Sequence, residues 1–277
     1  MNHAQIMASA SMPVASPSYP RGPYRFINRE YFIITYESDP QAIRDALPEP
    51  LEPDGSNTVL YEFIRMPDSS GFGDYTESGI VIPAKYRGES VNFTAQMYLD
   101  CDPPIAGGRE IWGFPKKLAS PRLGVANGTL TGRLEFSGQP VAIATMAYKH
   151  QCLRYCPDDP EHCDIHALEH KLAKTQVNLK LIPHVDGSHA IAQLVAYNLC
   201  DITIKGGWLS PARLHLIPHA NAPVADLPVR SIVEGRHFVA DLSLPYGRVL
   251  YDYLKQPVQR ETRPGLRASR KQDAMIA

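Results

Sequence analysis

A mainly β, α+β fold is what this sequence predicts, and three observations carry the expectation. Short segments rich in Val, Ile, Thr, Tyr and Phe recur between turn signals. Two dipeptides, Asn127-Gly128 and Asp186-Gly187, separate such segments where antiparallel hairpins turn. Helical signals are fewer and short. The expected architecture is an antiparallel sheet with a few helices against it, and a sheet of that many strands tends to curl or close to protect its edges.

In chain order, residues 1–18 are rich in Ala, Ser and Pro without an apolar period, which predicts a loose arm. Strands are expected over Glu30–Tyr36, Thr58–Met66, Val91–Leu99, Val177–Ile182 and Ile191–Asn198. A first helix follows Asp39-Pro40, an N-cap residue and a first-turn proline ahead of the apolar stripe Ala42, Ile43, Ala46 and Leu47. A second is expected from Pro104 towards Glu110, weakened by Gly107 and Gly108, and a third over Asp164–Lys174. Residues 19–255 read as one domain. The tail 256–277, with Arg260, Arg263, Arg267, Arg270 and Lys271, reads as a solvated end.

Composition removes several classes of function. With 44% hydrophobic and 21% charged residues and a formal net charge of -1, the chain is neither disordered nor supercharged. No general attraction to nucleic acid follows, and no run reaches the roughly 20 apolar residues that span a bilayer. The start Met1-Asn2-His3 lacks a basic leader and Pro13 breaks its mildly apolar stretch, so a cytoplasmic setting is expected. Five scattered cysteines fit reduced thiols. Strand and helix do not alternate as in a Rossmann fold, and neither GxGxxG nor GxxxxGK[ST] occurs, so no nucleotide cofactor is expected.

The least ordinary segment is Gly107 to Leu118, where Lys116 and Lys117 follow an aromatic, glycine-rich stretch. A lysine among Ile111, Trp112 and Phe114 would lose proton affinity, because desolvation disfavours the ammonium. A neutral amine condenses with a ketone, and the resulting iminium is the electron sink that a decarboxylation needs. Taken alone, a Lys-Lys pair is more often a solvated surface feature.

Three segments together resemble the acetoacetate decarboxylase family: Ser16-Pro-Ser-Tyr-Pro-Arg-Gly-Pro-Tyr-Arg-Phe-Ile-Asn-Arg-Glu-Tyr-Phe32, Asp74-Tyr-Thr-Glu-Ser-Gly79 and Phe114-Pro-Lys-Lys-Leu118. Met97-Tyr-Leu-Asp100, Ala147-Tyr-Lys-His150, Ala225-Asp-Leu-Pro-Val229 and Tyr251-Asp-Tyr-Leu-Lys255 extend the likeness from about Ser16 to Lys255. The resemblance implies a cone-shaped antiparallel β-barrel with flanking helices, assembled into a large homo-oligomer. It implies decarboxylation of acetoacetate, a small β-keto acid, without metal or organic cofactor. Lys116 would form the Schiff base, Lys117 would be the neighbouring cation, and Arg29 and Glu77 would lie in the active site, with Glu62 of Leu60-Tyr-Glu-Phe63 beside them. Phe114 stands where some members carry Tyr.

Residue chemistry assigns roles within that frame. The planar donor fork of Arg29 suits a substrate carboxylate or a glutamate. Glu77, ionised, would repel the leaving carboxyl group, and in its protonated form could return a proton to the enamine. For Lys116, activation by burial or by an adjacent cation are the two routes for which acetoacetate decarboxylases are a stock example. Neighbouring residues on a strand point to opposite faces, so burial is expected to dominate and Lys117 to orient the segment through a carboxylate on the other face.

Cys152, Cys156, Cys163 and His166, spaced C-x3-C-x6-C-x2-H, lack the paired C-x2-C of structural zinc sites and read as unpaired thiols. Two further functions compete with decarboxylation. One keeps the Lys116 imine for aldol or dehydration chemistry on another oxo acid, and the other is passive binding of a small molecule in a barrel mouth.

Overall fold

The computed structural model describes residues 1–156, 158 and 163–255. Residues 1–18, expected as a loose arm, contain one short helix, α1 (His3–Ala8), closed by a reciprocal capping box between Asn2 and Gln5. The basic tail lies outside the described residues.

Among the described residues the strands form two sheets. The larger, of 13 strands, follows the path β11 (Gln151–Cys152), β14 (Cys200–Ser210), β16 (Ser231–Leu244), β1 (Tyr24–Glu37), β3 (Thr58–Met66), β5 (Tyr75–Tyr86), β6 (Glu89–Leu99), β12 (Gln176–Pro183), β13 (His189–Tyr197) and β17 (Arg248–Asp252). Three short strands, β2 (Leu51–Pro53), β4 (Asp68–Ser69) and β7 (Lys116–Leu118), pair along its sides. The smaller sheet runs β15 (Ala212–Leu216), β10 (Gln139–Ala147), β9 (Thr129–Phe136) and β8 (Ser120–Ala126). Among the described residues the pairing path of the large sheet is open, so the fold is α+β and mainly β without a closed ring of strand pairs.

Alternation along the strands builds the core. On β1, Phe32, Ile34 and Tyr36 point to one face and are fully buried, together with Tyr61 and Phe63 of β3 and Leu130 and Leu134 of β9. The small sheet therefore covers that face. Contact is close at Gly132, where a Cβ would fall 2.4 Å from the Phe63 ring. A second apolar cluster, including Phe26, Tyr31, Trp112 and Phe238, belongs to the opposite face and lines a cavity.

The Asn127-Gly128 turn has positive φ at both residues, 49° and 71°, as a two-residue type I′ hairpin requires, and joins β8 to β9. Asp186-Gly187 joins β12 to β13 through a wider loop in which the Ser188 N–H and hydroxyl both donate to Asp186 Oδ1. Arg87-Gly88 and Ser137-Gly138 close two further hairpins with positive φ. Their leading residues, unlike Asn, carry no preference for the left-handed region, which is why those turns escaped the sequence reading.

Two corrections concern β7. The sheet is mixed rather than wholly antiparallel, because β6 pairs in parallel with both β7 and β12. The helix expected from Pro104 starts earlier, as α3 (Asp102–Gly107), and runs on through a π-helical turn, Gly108–Trp112. Its glycines do not end it. They admit neighbours instead: a Cβ on Gly107 would crowd Tyr19 and Phe72, and one on Gly108 would lie 2.7 Å from Lys116 Cδ. The remaining helices, α2 (Pro40–Ala46) and α4 (Asp164–Ala173), lie where the sequence put them, α2 capped by Asp39 accepting from the Gln41 and Ala42 N–H groups. Among the described residues, no helix is long and apolar enough to cross a membrane.

Candidate active site

The π-helical turn ends at Gly113, whose φ of +76° supplies the left-handed C-cap, and a Cβ there would fall 2.5 Å from Lys180 Cα. Asn178 Nδ2 and Lys180 Nζ of β12 donate to the Trp112 and Ile111 carbonyls, which pins the turn onto the sheet. The chain then reverses through Phe114 and Pro115 and lays Lys116 beside Met97 of β6. Arg109 holds the same strand by donating to the Lys116 carbonyl at 3.1 Å.

Strand register then gathers the site. Lys116, Met97, Gly79, Glu62, Ile33 and Arg236 are successive partners across β7, β6, β5, β3, β1 and β16, and form one rung. Two residues deeper, the next rung runs from Glu77 through Ile64 and Tyr31 to Phe238. Both rungs face a cavity of about 370 Å³.

Of the sequence-predicted residues, Lys116, Glu77, Arg29 and Glu62 line this cavity. Lys116 Nζ stands 3.5 Å from Glu77 Oε2, and Arg29 Nη2 stands 3.4 Å from Glu77 Oε1. Glu77 and Lys116 are 3% and 6% exposed, so the carboxylate and its two basic neighbours are withdrawn from water. The Lys116 nitrogen also lies 5.0 Å from the Phe114 ring and 5.8 Å from that of Tyr75. The Arg29 guanidinium lies over both the Phe26 and Tyr31 rings, 5.1 and 4.8 Å from their centres.

Burial pulls the Lys116 pKa below the ordinary lysine value; Glu77 opposes the shift and the Arg29 charge reinforces it. Burial pushes Glu62 up to about 7, with Arg29 opposing and Glu77 adding to the rise. The site thus couples an amine biased towards its neutral form with a carboxyl group that holds a proton near neutrality. Three buried donors of cavity-lining residues have no hydrogen-bond partner among the described residues, Arg29 Nε, the Tyr31 hydroxyl and Arg236 Nε.

Lys117 lies elsewhere. It is exposed on the opposite face of β7, with its ammonium donating to the Asn221 carbonyl and resting 5.1 Å from the Phe136 ring. Its expected carboxylate partner is replaced by a backbone oxygen. The cation that bears on Lys116 is Arg29, from a strand far away in sequence. In Lys117→Met, the Lys116 pKa is therefore expected to move by about one unit at most, since repulsion over roughly 10 Å at an effective dielectric of about 20 amounts to only ~1.7 kcal/mol, which solvent around the exposed Lys117 screens further. The pH dependence of Lys116 acylation measures it, and recovery towards the free-lysine value would return the activating role to Lys117.

Sequence reasoning missed Tyr31, Tyr75 and Tyr197. The first was accessible, because Tyr31 stands two residues beyond Arg29 on the same strand face. Tyr197 and Tyr75 come from other strands, and only the folded register brings them in. The five cysteines are free thiols, and among the described residues no group of three or more His, Cys, Asp or Glu side chains is gathered as a metal site.

The family model described as acetoacetate decarboxylase (ADC) matches residues 11–254. The acetoacetate decarboxylase of Paraburkholderia xenovorans (strain LB400) is 53% identical over 258 residues, covering 93% of this chain and 98% of its own. The crystal structure of acetoacetate decarboxylase from Legionella pneumophila superposes with a TM-score of 0.82 at 50% identity, over 90% of this chain and 96% of that one. A further solved acetoacetate decarboxylase gives a TM-score of 0.86 at 43% identity, over 92% and 100% of the two chains.

Proposed function

Because the chain belongs to the acetoacetate decarboxylase family, we propose that it is a carbon–carbon lyase converting acetoacetate to acetone and CO2 through a Schiff base on Lys116. The observation that supports the residue assignment most is the buried Lys116 amine, 3.5 Å from Glu77 in a cavity that also holds Arg29.

Neutral Lys116 Nζ adds to the keto carbon, and loss of water leaves an iminium. The bond between the α-carbon and the carboxylate then breaks. CO2 departs and the electron pair flows towards the iminium nitrogen, giving an enamine. Protonation of the α-carbon and hydrolysis of the iminium release acetone and restore the amine. Arg29, with Nε unspent, and the Tyr31 hydroxyl hold the carboxylate; Glu77, between the two basic groups, fixes their separation and disfavours a second anion beside it. Proton return belongs to Glu62 in this scheme, because Glu62 holds a proton up to about pH 7.

Borohydride reduction with acetoacetate present tests the scheme: a mass gain on Lys116 together with CO2 release is expected, and a passive binder gives neither. Activity is expected to rise with pH as Lys116 loses its proton and to fall above about 7 as Glu62 loses its own. A profile that stays flat above neutrality would remove Glu62 from the protonation step.

The same reading takes in a cone-shaped barrel, one domain over residues 19–255 and a large homo-oligomer. Support for assembly comes from exposed apolar residues on β7, β8 and β10, namely Leu118, Val125 and Ile143. Light scattering measures it. Free thiols fit a cytoplasmic setting.

A further inference from the structure

The cavity has a closed end and an open one. Phe26, Phe72, Trp112 and Leu244 are all buried at the first. At the other, Leu60, Thr35 and Glu234 share the rung two residues outward from Lys116 and are partly exposed, and Lys171 is exposed, yet all line the cavity. Helix α4 borders this opening, with Leu168 buried against the cavity and Lys171 and Lys174 following at its C-terminal end.

Charge at the opening is left unspent. Neither Lys171 nor Lys174 forms an ion pair among the described residues, and the carboxylates that face them are Glu234 and Asp54 respectively. Arg236 pairs with Glu234 at 2.7 Å, but its Nε is buried without a partner. Three cations thus meet two carboxylates. Arg236 also pairs with Ile33, four residues along β1 from Arg29, or about 13 Å at strand rise. Basic groups therefore succeed one another from the opening to the carboxylate clamp. A cleft with low-dielectric walls and one excess sign focuses its field and raises the local concentration of oppositely charged ligands.

We propose that Lys171, Lys174 and Arg236 form an anion-admitting mouth, which draws the β-keto acid's carboxylate towards Arg29 and Lys116; this rests on the decarboxylase reading above. The test compares the parent enzyme with the Lys171→Gln/Lys174→Gln double variant and with Glu234→Gln. Two readouts are taken: kcat/KM for acetoacetate across ionic strength, and the rate of imine formation with acetylacetone, an uncharged diketone. At low salt the double variant is expected to lose about tenfold in kcat/KM, carried in KM, and to converge on the parent near 1 M salt, where the screening length is about 3 Å. Glu234→Gln shifts the low-salt value upward. Imine formation with the diketone keeps the parent rate in both. A salt dependence equal to the parent's, or equal slowing with the neutral diketone, overturns the mouth while leaving the decarboxylase reading intact. A parent that neither releases CO2 nor forms the imine overturns both.

Discussion

Replacing Lys116 with Ala is expected to lower acetoacetate decarboxylation by at least about four orders of magnitude, or ~5.4 kcal/mol of transition-state stabilisation. Among the described residues no other amine is in place to substitute. Lys117 points away from the cavity towards Asn221, and Lys171 and Lys174 lie at its opening, beyond the rung that carries Glu62. The fold should survive, because the substitution removes a buried ionisable group whose desolvation costs stability and Arg29, 3.4 Å away, stays to pair with the Glu77 carboxylate. Circular dichroism and CO2 release on the same preparation check the prediction. Residual turnover within tenfold of the parent would show that the chemistry does not pass through a Lys116 imine.

The second large effect concerns the pair around Glu77. Arg29→Gln and Glu77→Gln should each cut decarboxylation by about 10²–10³-fold, or about 2.7–4.1 kcal/mol of transition-state stabilisation, because each removes a charged group from the cluster around Lys116. Imine formation separates the two. Glu77 favours the Lys116 ammonium, so its loss lets the amine pKa fall further and imine formation at neutral pH holds or improves. Arg29 disfavours the ammonium, so its loss raises that pKa and slows imine formation modestly. Burst measurements of imine and CO2 at one pH distinguish the steps; movement of both variants in the same direction would contradict the assigned electrostatics.

The strands were legible because alternation survives in single segments: Thr58–Met66 is the expected strand and the observed one. Lys116 stood out for its apolar neighbours, and Arg29, Glu77 and Glu62 through likeness to a family. The mixed pairing of β6 was hidden, since whether β7 lies parallel or antiparallel depends on the crossover geometry of α3 and its π-helical turn, which no local pattern encodes. Lys171 and Arg236 were equally invisible. They come to one opening only because β16 pairs with β1 and α4 borders the cavity, contacts between segments remote in sequence.

The aligned rungs of the large sheet also act as a ruler for substrate length. Each two-residue step along β1, from Arg29 to Tyr31, Ile33 and Thr35, advances about 6.6 Å along one wall of the cavity. In the proposed binding mode, with acetoacetate held by Lys116 and Arg29, the Thr35–Leu60 rung stays unfilled, and a longer acyl chain would extend over it without disturbing the reacting carbons. Chain-length preference is therefore separable from catalysis in this architecture. Bulkier side chains at Thr35 or Leu60 would shorten the accepted chain, and smaller ones would lengthen it, while the amine and its clamp stay fixed deeper along the same strands.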